Sequence, residues 1–362
     1  MSRRHARLSM LGVAVLVTVH LGLVRLTAQS AQGALPTVVV LATGGTIAGA
    51  AASDVQAGYT SGQVGVEQLI AAVPQAKKIA NLRGEQISNI GSQDMNDEVW
   101  LKLAARINAL AAMPDVAGIV ITHGTDTIEE TAYFLNLVVK SKKPVVLTAA
   151  MRPATALSAD GPLNFFNAVA VAADKDAAGR GVLVVINDWI HGASSLTKTS
   201  TTAVQTFMSP LSGLIGTVAY GHAEFTRAPI GRHTADTEFS LQGVTALPRV
   251  DIIMAYENMD GALIDAAVAA GAKGLVIAGV GNGNLNAASV QAASRAAKSG
   301  VPVVRASRVA TGSVGRNVEL NDDELGLTAS DELNPQKARI LLSLALLQKH
   351  TPEQLQQLFY QY

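Results

Sequence analysis

Two short loops of the sequence place a threonine beside glycines. They read Thr43-Gly44-Gly45-Thr46 and His123-Gly124-Thr125-Asp126-Thr127. Glycines let a backbone approach a ligand closely and point N–H groups at it. A threonine hydroxyl beside such donors combines a nucleophile with an oxyanion hole, which points to acyl transfer. A lone Gly-Gly-Thr loop is more often a nucleotide-binding or structural turn, and both alternatives stay open at this point.

A threonine nucleophile needs a base, and the sequence offers two candidates. His123 stands in the second loop, but its neighbours lack metal-ligand spacing and a loop histidine often bonds only backbone. Lys198, within residues 195–199, could reach the same region, and a desolvated lysine can lose its proton and act as a base. Asp126 precedes a predicted helix whose dipole would stabilise its charge. Taken one by one, these residues favour structural roles: a backbone-bonded histidine, a solvated lysine and a helix N-cap.

A third polar stretch, residues 91–97, reads Gly-Ser-Gln-Asp-Met-Asn-Asp. Its short polar side chains would suit the charged ends of a zwitterion. They would equally suit a loop that caps a helix, and the residues alone do not decide between the two.

Short apolar, β-branched runs precede these loops and must position them. Continuous apolar strands that alternate with helices indicate a parallel sheet covered on both faces, and ligands bind such sheets at the carboxyl ends of the strands. Thr127-Ile128-Glu129-Glu130 has capping-box spacing and opens a predicted helix through Val139. The other elements predicted in this half are strands at residues 38–42, 118–122, 144–148 and 181–186, and a helix at residues 164–173.

The apolar periodicity lapses around residues 226–247, and a second series of strands and helices follows. We therefore predict an α/β protein of two α/β domains. The larger N-terminal parallel-sheet domain spans residues 36–225, the linker 226–248, and the smaller C-terminal α/β domain 249–362. The elements predicted in the second half are strands at 250–254, 274–278 and 301–305, helices at 263–270 and 287–298, and two closing helices that begin at Asn334-Pro335 and Thr351-Pro352.

The composition excludes several classes of protein. The chain has 362 residues, of which 49% are hydrophobic and 15% charged, so it is not a disordered chain. Its 28 Lys and Arg balance 28 Asp and Glu, which leaves no net positive charge with which to hold nucleic acid. Cysteine is absent, which excludes disulfides, zinc–thiolate sites and thiol nucleophiles.

The first residues have the order of a secretory signal peptide. Arg3, Arg4 and Arg7 precede an apolar run at residues 8–24, and small residues follow. We predict cleavage of residues 1–32 and a periplasmic or secreted mature protein. A retained membrane anchor is the alternative, because His20 interrupts the apolar run and Arg25 ends it. The run is at the lower limit of the length that spans a bilayer, which favours cleavage.

The two threonine loops belong to a set of stretches that match a known pattern together. The first stretch reads Leu-Ala-Thr-Gly-Gly-Thr-Ile-Ala-Gly at residues 41–49, and the second reads Ile-Thr-His-Gly-Thr-Asp-Thr-Ile-Glu-Glu-Thr at residues 121–131. The other stretches lie at residues 90–97, 150–153, 158–162, 279–284 and 334–339. Together they resemble the bacterial L-asparaginase family, specifically the exported type II asparaginases and asparaginase/glutaminases, over residues 35–362.

The resemblance implies roles for the residues of the threonine loops. Thr46 would be the nucleophile that attacks the side-chain amide carbon, and Tyr59 would lie on a mobile loop that closes over the substrate. Thr125, Asp126 and Lys198 would form a second triad, in which Lys198 draws the proton from Thr125 and Asp126 holds charge nearby.

The resemblance also assigns substrate contacts and an assembly. The residues expected to hold the α-carboxylate and α-ammonium groups of the amino acid are Ser92, Gln93 and Asp126, with Thr125 also in contact with the substrate. The backbone carbonyl of Ala150 would receive the leaving amide nitrogen. Asn284 and Glu319 match positions that a neighbouring subunit contributes, so the resemblance implies a homotetramer of two intimate dimers.

The implied reaction is a two-step acyl transfer on L-asparagine, with L-glutamine as a second candidate substrate. Thr46 would form a β-acyl ester and release ammonia, and water would hydrolyse the ester to aspartate, with neither a metal nor an organic cofactor. Residues 189–196 lack the Arg-Asp pair usual in the family, and residues 316–319 resemble the glutaminase-leaning branch. One methylene changes selectivity by only about 1–3 kcal/mol, so the Asn/Gln preference stays open.

Two other functions share part of this pattern. An exported amino-acid-binding protein would also have two α/β domains behind a leader, but it has no use for two glycine-flanked threonines and a lysine. A nucleotide-binding module would hold phosphate with the Gly-Gly loop, but the sequence contains neither a Gly-x-Gly-x-x-Gly pattern nor a Walker lysine motif.

Overall fold

The computed structural model describes residues 34–51, 59–60, 62 and 64–362. The predicted signal peptide, residues 1–32, lies outside the described residues. No helix in these described ranges is both long enough and apolar enough to cross a membrane.

The N-terminal half is built on a mixed eight-stranded sheet. Its strands, with those of two short hairpins, are in chain order β1 (Thr37–Gly44), β2 (Ala50–Ala51), β3 (Tyr59–Thr60), β4 (Asn81–Ile90), β5 (Val116–Thr122), β6 (Val145–Thr148), β7 (Val182–Ile186), β8 (Trp189–Gly192), β9 (Thr197–Lys198), β10 (Phe207–Met208), β11 (Gly216–Ala219) and β12 (His222–Phe225). The order across the sheet is β12-β11-β8-β7-β6-β5-β1-β4. The five strands from β7 to β4 run parallel, and β8, β11 and β12 extend the sheet antiparallel.

The four strands predicted in this half are confirmed as β1, β5, β6 and β7, each within two residues at either end. They form because β-branched and aliphatic side chains fill both faces of a covered sheet. The side chains of Val39 and Leu41 pack in one core with the helices on one face, whereas Val38 and Val40 pack in a second core on the other face.

Four helices cover the two faces of this sheet. They are α1 (Val66–Ala72), α2 (Asp97–Ala111), α3 (Ile128–Val138) and α4 (Gly161–Ala173). Helices α2 and α3 pack on one face, and α1 and α4 pack on the other. Helix α4 begins three residues before the predicted Asn164, because Pro162 is suited to the first turn of a helix, where no N–H partner is needed.

The C-terminal half contains a four-stranded parallel sheet of order β13 (Val250–Met254), β14 (Gly274–Gly279), β15 (Val303–Ser307) and β16 (Leu327–Ala329). The predicted strand at 301–305 starts two residues later than expected, since Pro302 has no N–H to give to the sheet. The helices of this half are α5 (Ala262–Ala269), α6 (Ala287–Lys298), α7 (Asp322–Leu325), α8 (Pro335–Ala345) and α9 (Pro352–Gln361). A capping box of Thr351 and Gln354 opens α9.

One hydrophobic core joins the two halves. It contains Leu41 of β1, Phe134 of α3, Val276 of β14 and Leu341 of α8, and α3 packs directly against α8. Residues 36–362 accordingly form one compact unit. The division into two domains at residues 226–248 stays a prediction.

Candidate functional site

Four neighbouring parallel strands end at one edge of the large sheet. Because β4, β1, β5 and β6 lie side by side in that order, the loops that follow them meet. The Gly45 N–H donates to the Ile90 carbonyl at 2.9 Å, which joins the loops after β1 and β4. The His123 N–H donates to the Thr148 carbonyl at 2.9 Å, which joins the loops after β5 and β6. The polar stretches singled out from the sequence therefore share one edge.

The two threonine loops touch through their glycines. Gly45 has a φ of +79°, and a Cβ at this residue would lie 2.4 Å from the backbone nitrogen of Gly124. A Cβ at Gly124 would lie 2.5 Å from the Ser92 hydroxyl. No side chain fits at either position, so the loops pack backbone against backbone. Thr46 follows Gly45 and Thr125 follows Gly124, so this contact places the two threonines on loops that touch each other.

Thr46 begins a short 3-10 helix, Thr46–Ala48, directly after the Gly-Gly turn. Thr46 is 4% exposed, and Thr125 is 6% exposed. Ile47, the next residue, lies against Gly161 of α4, as does Ala150. The nucleophile predicted from the sequence is therefore a nearly buried hydroxyl on a packed turn rather than on a free loop.

The structure brings Thr125, Asp126 and Lys198 together. The Lys198 Nζ makes hydrogen bonds to the Thr125 hydroxyl at 3.0 Å and to the Asp126 Oδ1 at 2.7 Å. The Lys198 side chain is only 18% exposed, whereas that of Asp126 is 58% exposed. Strand β9 holds Lys198 opposite the buried Phe207 of β10. Lys198 is thus a partly buried lysine aimed at the second threonine, and the surface role that a single lysine favours is wrong.

Ser92 connects the loop after β4 to the second threonine loop. The Asp126 N–H donates to the Ser92 hydroxyl at 3.1 Å, and the Thr127 hydroxyl donates to the Ser92 carbonyl at 2.7 Å. This use of Thr127 makes the predicted capping box at residues 127–130 wrong. Thr127 is the N-cap residue of α3, but its side chain makes no cap hydrogen bond, because the hydroxyl is bonded to Ser92.

The sequence of the polar stretch at residues 91–97 suits either binding of a zwitterion or capping of a helix, and Gln93 and Asn96 differ in this respect. Gln93 is exposed beside Ser92, and its amide donates to Asp94 at 3.3 Å. Asn96 caps α2 by accepting the Val99 N–H at 3.1 Å. The stretch therefore does cap a helix, and it also presents Ser92 and Gln93 at the sheet edge.

Ala150 lies in a loop that two side chains hold in place. One is that of Asp160, the N-cap residue of α4, and the other is that of Asn164 within α4. The Asp160 carboxylate accepts the N–H groups of Met151 and Arg152, both at 2.9 Å. The Asn164 amide donates to the Ala149 carbonyl at 3.0 Å. Sequence reasoning included Asp160 in a matching stretch but missed this role, and the Asp-Gly-Pro start of a helix was the available signal.

The remaining predicted site residues lie elsewhere. The backbone of Tyr59 pairs with Ala51 in the β2–β3 hairpin, and its side chain lies outside the described atoms. The Asn284 amide donates to the Glu319 carboxylate, so these two residues bond each other rather than the group around Lys198. Among the described residues, no three His, Asp or Glu side chains cluster so as to hold a metal ion.

Comparison with known proteins identifies the family. Residues 37–231 match the family model described as Asparaginase, N-terminal, and residues 249–359 match the Glutaminase/Asparaginase C-terminal domain. The chain belongs to the asparaginase family. A "Probable L-asparaginase periplasmic" of Haemophilus influenzae is 56% identical over 90% of this chain and 93% of its own length. A "Glutaminase-asparaginase" of Pseudomonas fluorescens biotype A is 48% identical over 91% of each chain.

A solved structure shares the asparaginase fold. The "Probable Cytoplasmic L-asparaginase" of Campylobacter jejuni has a TM-score of 0.88 and 45% identity to this chain, and the match covers 90% of this chain and all of the other. The α/β architecture with a larger N-terminal and a smaller C-terminal sheet is therefore that of the asparaginase family.

His123 has a structural role in this asparaginase fold. Its ring is buried, with Nδ1 2.8 Å from the Gly124 carbonyl and Nε2 2.9 Å from the Thr131 hydroxyl. Because a carbonyl only accepts, Nδ1 carries the proton and Nε2 accepts from Thr131. The Trp100 indole donates to the same hydroxyl at 2.8 Å. Both ring nitrogens are used, so His123 is not the base, and the structural interpretation is confirmed.

His123 should make the protein sensitive to acid. Burial lowers its pKa from 6.5 to about 4, so between these values the unfolded chain binds more protons than the folded chain. The free energy of unfolding should therefore fall as the pH falls through this range, by about 2 kcal/mol between pH 7 and pH 5 for this one group. Urea unfolding of the wild type and of His123→Asn at both pH values measures this term.

Between pH 7 and pH 5, the free energy of unfolding should fall less in His123→Asn than in the wild type. The difference between the two drops is the contribution of His123. His191, whose pKa burial also lowers to about 4, supplies an independent drop that both proteins keep. Equal drops in the two proteins would show that His123 becomes protonated as readily in the folded as in the unfolded chain.

A buried ion pair holds two loops at the edge of the C-terminal sheet. Arg305 of β15 binds both carboxylate oxygens of Asp322, at 2.6 and 2.7 Å. Its remaining N–H groups donate to the backbone carbonyls of Asn282, Gly283 and Gly315 at 3.0–3.2 Å. All five guanidinium donors are used, and the loops so joined carry Asn284 and Glu319. Sequence reasoning missed this pair, although a charged residue at the end of an apolar strand was a usable signal.

Proposed function

We propose that the protein hydrolyses the side-chain amide of L-asparagine to L-aspartate and ammonia through an ester of Thr46. The observation that carries the proposal is the placement of the Lys198 amine, 3.0 Å from the Thr125 hydroxyl and 2.7 Å from the Asp126 carboxylate. That group adjoins the Thr46 loop through the Gly45–Gly124 contact. The names of the relatives, L-asparaginase and glutaminase-asparaginase, agree with this reaction.

The chemistry follows from two hydroxyls and one amine at a packed sheet edge. The Thr46 oxygen attacks the amide carbon, and the carbonyl oxygen becomes an oxyanion that backbone N–H groups of the two loops stabilise, by about 3 kcal/mol per donor at comparable sites. The C–N bond then breaks, and the nitrogen leaves as ammonia with the proton that Thr46 gave up. Water hydrolyses the ester, which releases aspartate and restores the Thr46 hydroxyl.

In this proposal Lys198 draws the proton of Thr125, so that Thr125 can relay protons during each step. The exposed Asp126 carboxylate balances the resulting ammonium at 2.7 Å. Tyr59, on the segment after Thr46, would close the site once substrate is bound.

The substrate would be held by its zwitterionic end. Ser92, Gln93 and Asp126 adjoin one another at the sheet edge and would bind the α-carboxylate and α-ammonium groups, and Thr125 would lie beside the amide. The Ala150 carbonyl would accept an N–H of the amide, and the Asp160 contacts to Met151 and Arg152 hold its loop.

The proposal extends to assembly and location. Asn284 and Glu319 would complete the site of a neighbouring subunit in a homotetramer, and the Arg305–Asp322 pair would set their position. Export through the leader at residues 1–32 would place the enzyme in the periplasm or outside the cell, in agreement with the word periplasmic in the name of the Haemophilus influenzae relative.

The test is ammonia release by the purified protein from L-asparagine and from L-glutamine, side by side, with aspartate and glutamate measured as co-products. We expect one ammonia for each aspartate formed, and the ratio of kcat/KM values gives the Asn/Gln preference. Tight binding of L-asparagine without turnover would instead favour the amino-acid-binding protein.

A further inference from the structure

Two consecutive residues of the C-terminal half reach into the N-terminal half beside the candidate site. Gln336 and Lys337 lie in the first turn of α8, within the stretch 334–339 that the proposed mechanism does not use. Lys337 is only 2% exposed. A lysine buried this far is rare unless its ammonium is bonded, so its partners point to what it does.

The Lys337 ammonium binds the segment that leads to Lys198. It donates to the Ser194 carbonyl at 3.1 Å and to the Leu196 carbonyl. Leu196 is buried and is followed at once by strand β9, in which Lys198 is the second residue. Two backbone carbonyls, four and two residues before Lys198, are therefore held from the C-terminal half.

The Gln336 amide binds the other part of the same group. It donates to the Glu129 Oε1, and Glu129 is a buried residue in the first turn of α3, three residues after Asp126. The other carboxylate oxygen of Glu129 has no hydrogen-bond partner among the described residues. Its negative charge favours the charged form of Lys337 and thereby opposes the effect of burial, which lowers the Lys337 pKa to about 8.

We propose that Gln336 and Lys337 are positioning residues that hold Lys198 in register with Thr125 and Asp126. The inference rests on the proposed function, because it concerns the same triad. The first turn of α8 binds both the helix that follows Thr125-Asp126 and the segment that leads into the strand of Lys198. The distances of 3.0 and 2.7 Å at Lys198 then depend on residues more than 130 positions away in the sequence.

Removing these hydrogen bonds should change turnover more than substrate affinity. The contacts assigned to the α-carboxylate and α-ammonium groups lie on Ser92, Gln93 and Asp126, whose loops Lys337 does not touch. In Lys337→Met the Ser194 and Leu196 carbonyls lose their donor, so Lys198 loses its fixed distance to Thr125. A displacement of this kind costs on the order of 100-fold in rate.

The experiment compares kcat and KM of the wild type with those of Lys337→Met, Gln336→Ala and the control Lys298→Met, which removes an exposed lysine at the end of α6. Rates are measured at a temperature at which circular dichroism shows each protein to be folded. We expect kcat to fall about 100-fold in Lys337→Met and about 10-fold in Gln336→Ala, with KM within about threefold of the wild type and the control unchanged. Lys337→Arg, which keeps a charged donor, should regain part of the kcat lost in Lys337→Met.

A folded Lys337→Met protein with at least half of the wild-type kcat would overturn the inference and leave the proposed function intact. If Lys337→Met does not fold, Gln336→Ala decides, and an unchanged kcat in that variant likewise overturns it. A rise in KM with kcat unchanged would show that the two residues serve substrate binding instead. A wild type that releases no ammonia would refute the proposed function itself.

Discussion

Thr46→Ala is expected to stop ammonia release from L-asparagine almost completely. Loss of the hydroxyl removes the atom that would form the ester, and loss of a nucleophile from a comparable unit lowers kcat by about 10⁴-fold or more. The fold should be unchanged, because Thr46 is one buried residue of a turn that the Gly45–Gly124 contact holds. Substrate should still bind, since the predicted zwitterion contacts come from other loops.

Ammonia release and calorimetric binding of L-asparagine together measure this effect. The matched control is Thr217→Ala, which removes an exposed threonine hydroxyl from β11 and should keep wild-type turnover. Normal turnover in Thr46→Ala would eliminate Thr46 as the nucleophile.

Lys198→Met is expected to lower kcat by about 10³-fold, in the middle of the range for a positioned acid–base group. Methionine keeps the length of the side chain but removes the amine that binds Thr125 and Asp126. Thr125→Val should show a loss of similar size, because the hydroxyl and the amine would act on the same proton.

The double variant Lys198→Met/Thr125→Val provides the sharpest measurement. If the two residues act as a unit, its kcat should be close to that of either single variant rather than lower by the product of both losses. The control is Lys142→Met, at an exposed lysine. Additive losses in the double variant would contradict a shared proton path.

Most of the parallel strands and most of the helices could be predicted because their patterns are apolar and regular. Strand β4 was not predicted, since its sequence Asn-Leu-Arg-Gly-Glu-Gln-Ile-Ser-Asn-Ile alternates little and its residues are mostly half-buried or exposed at the sheet edge. Strands β8, β11 and β12 were missed because each has only four residues, several of them polar. Such strands are defined by pairing with a neighbour, which the local sequence does not encode.

Part of the candidate site could likewise be predicted from the sequence, and part could not. The two threonine loops follow buried strands, so their meeting at one sheet edge could be expected from the sequence. The contact of Lys198 with Thr125 could not be derived from spacing, because it depends on the turn at residues 192–196 and on Lys337 from the C-terminal half. Arg305 and Lys337 are buried charges that residue type alone assigns to the surface, and only their partners explain them.

The glycine contact between the two threonine loops has a consequence for altering this protein by design. Because Gly45 and Gly124 meet with no room for a methyl group, the separation of the two hydroxyl-bearing turns is set by the pairing of β1 with β5. Saturation libraries at these glycines should yield inactive proteins almost throughout. Changes of substrate range should instead come from other positions, such as residues 316–319, whose sequence resembles the glutaminase-leaning branch.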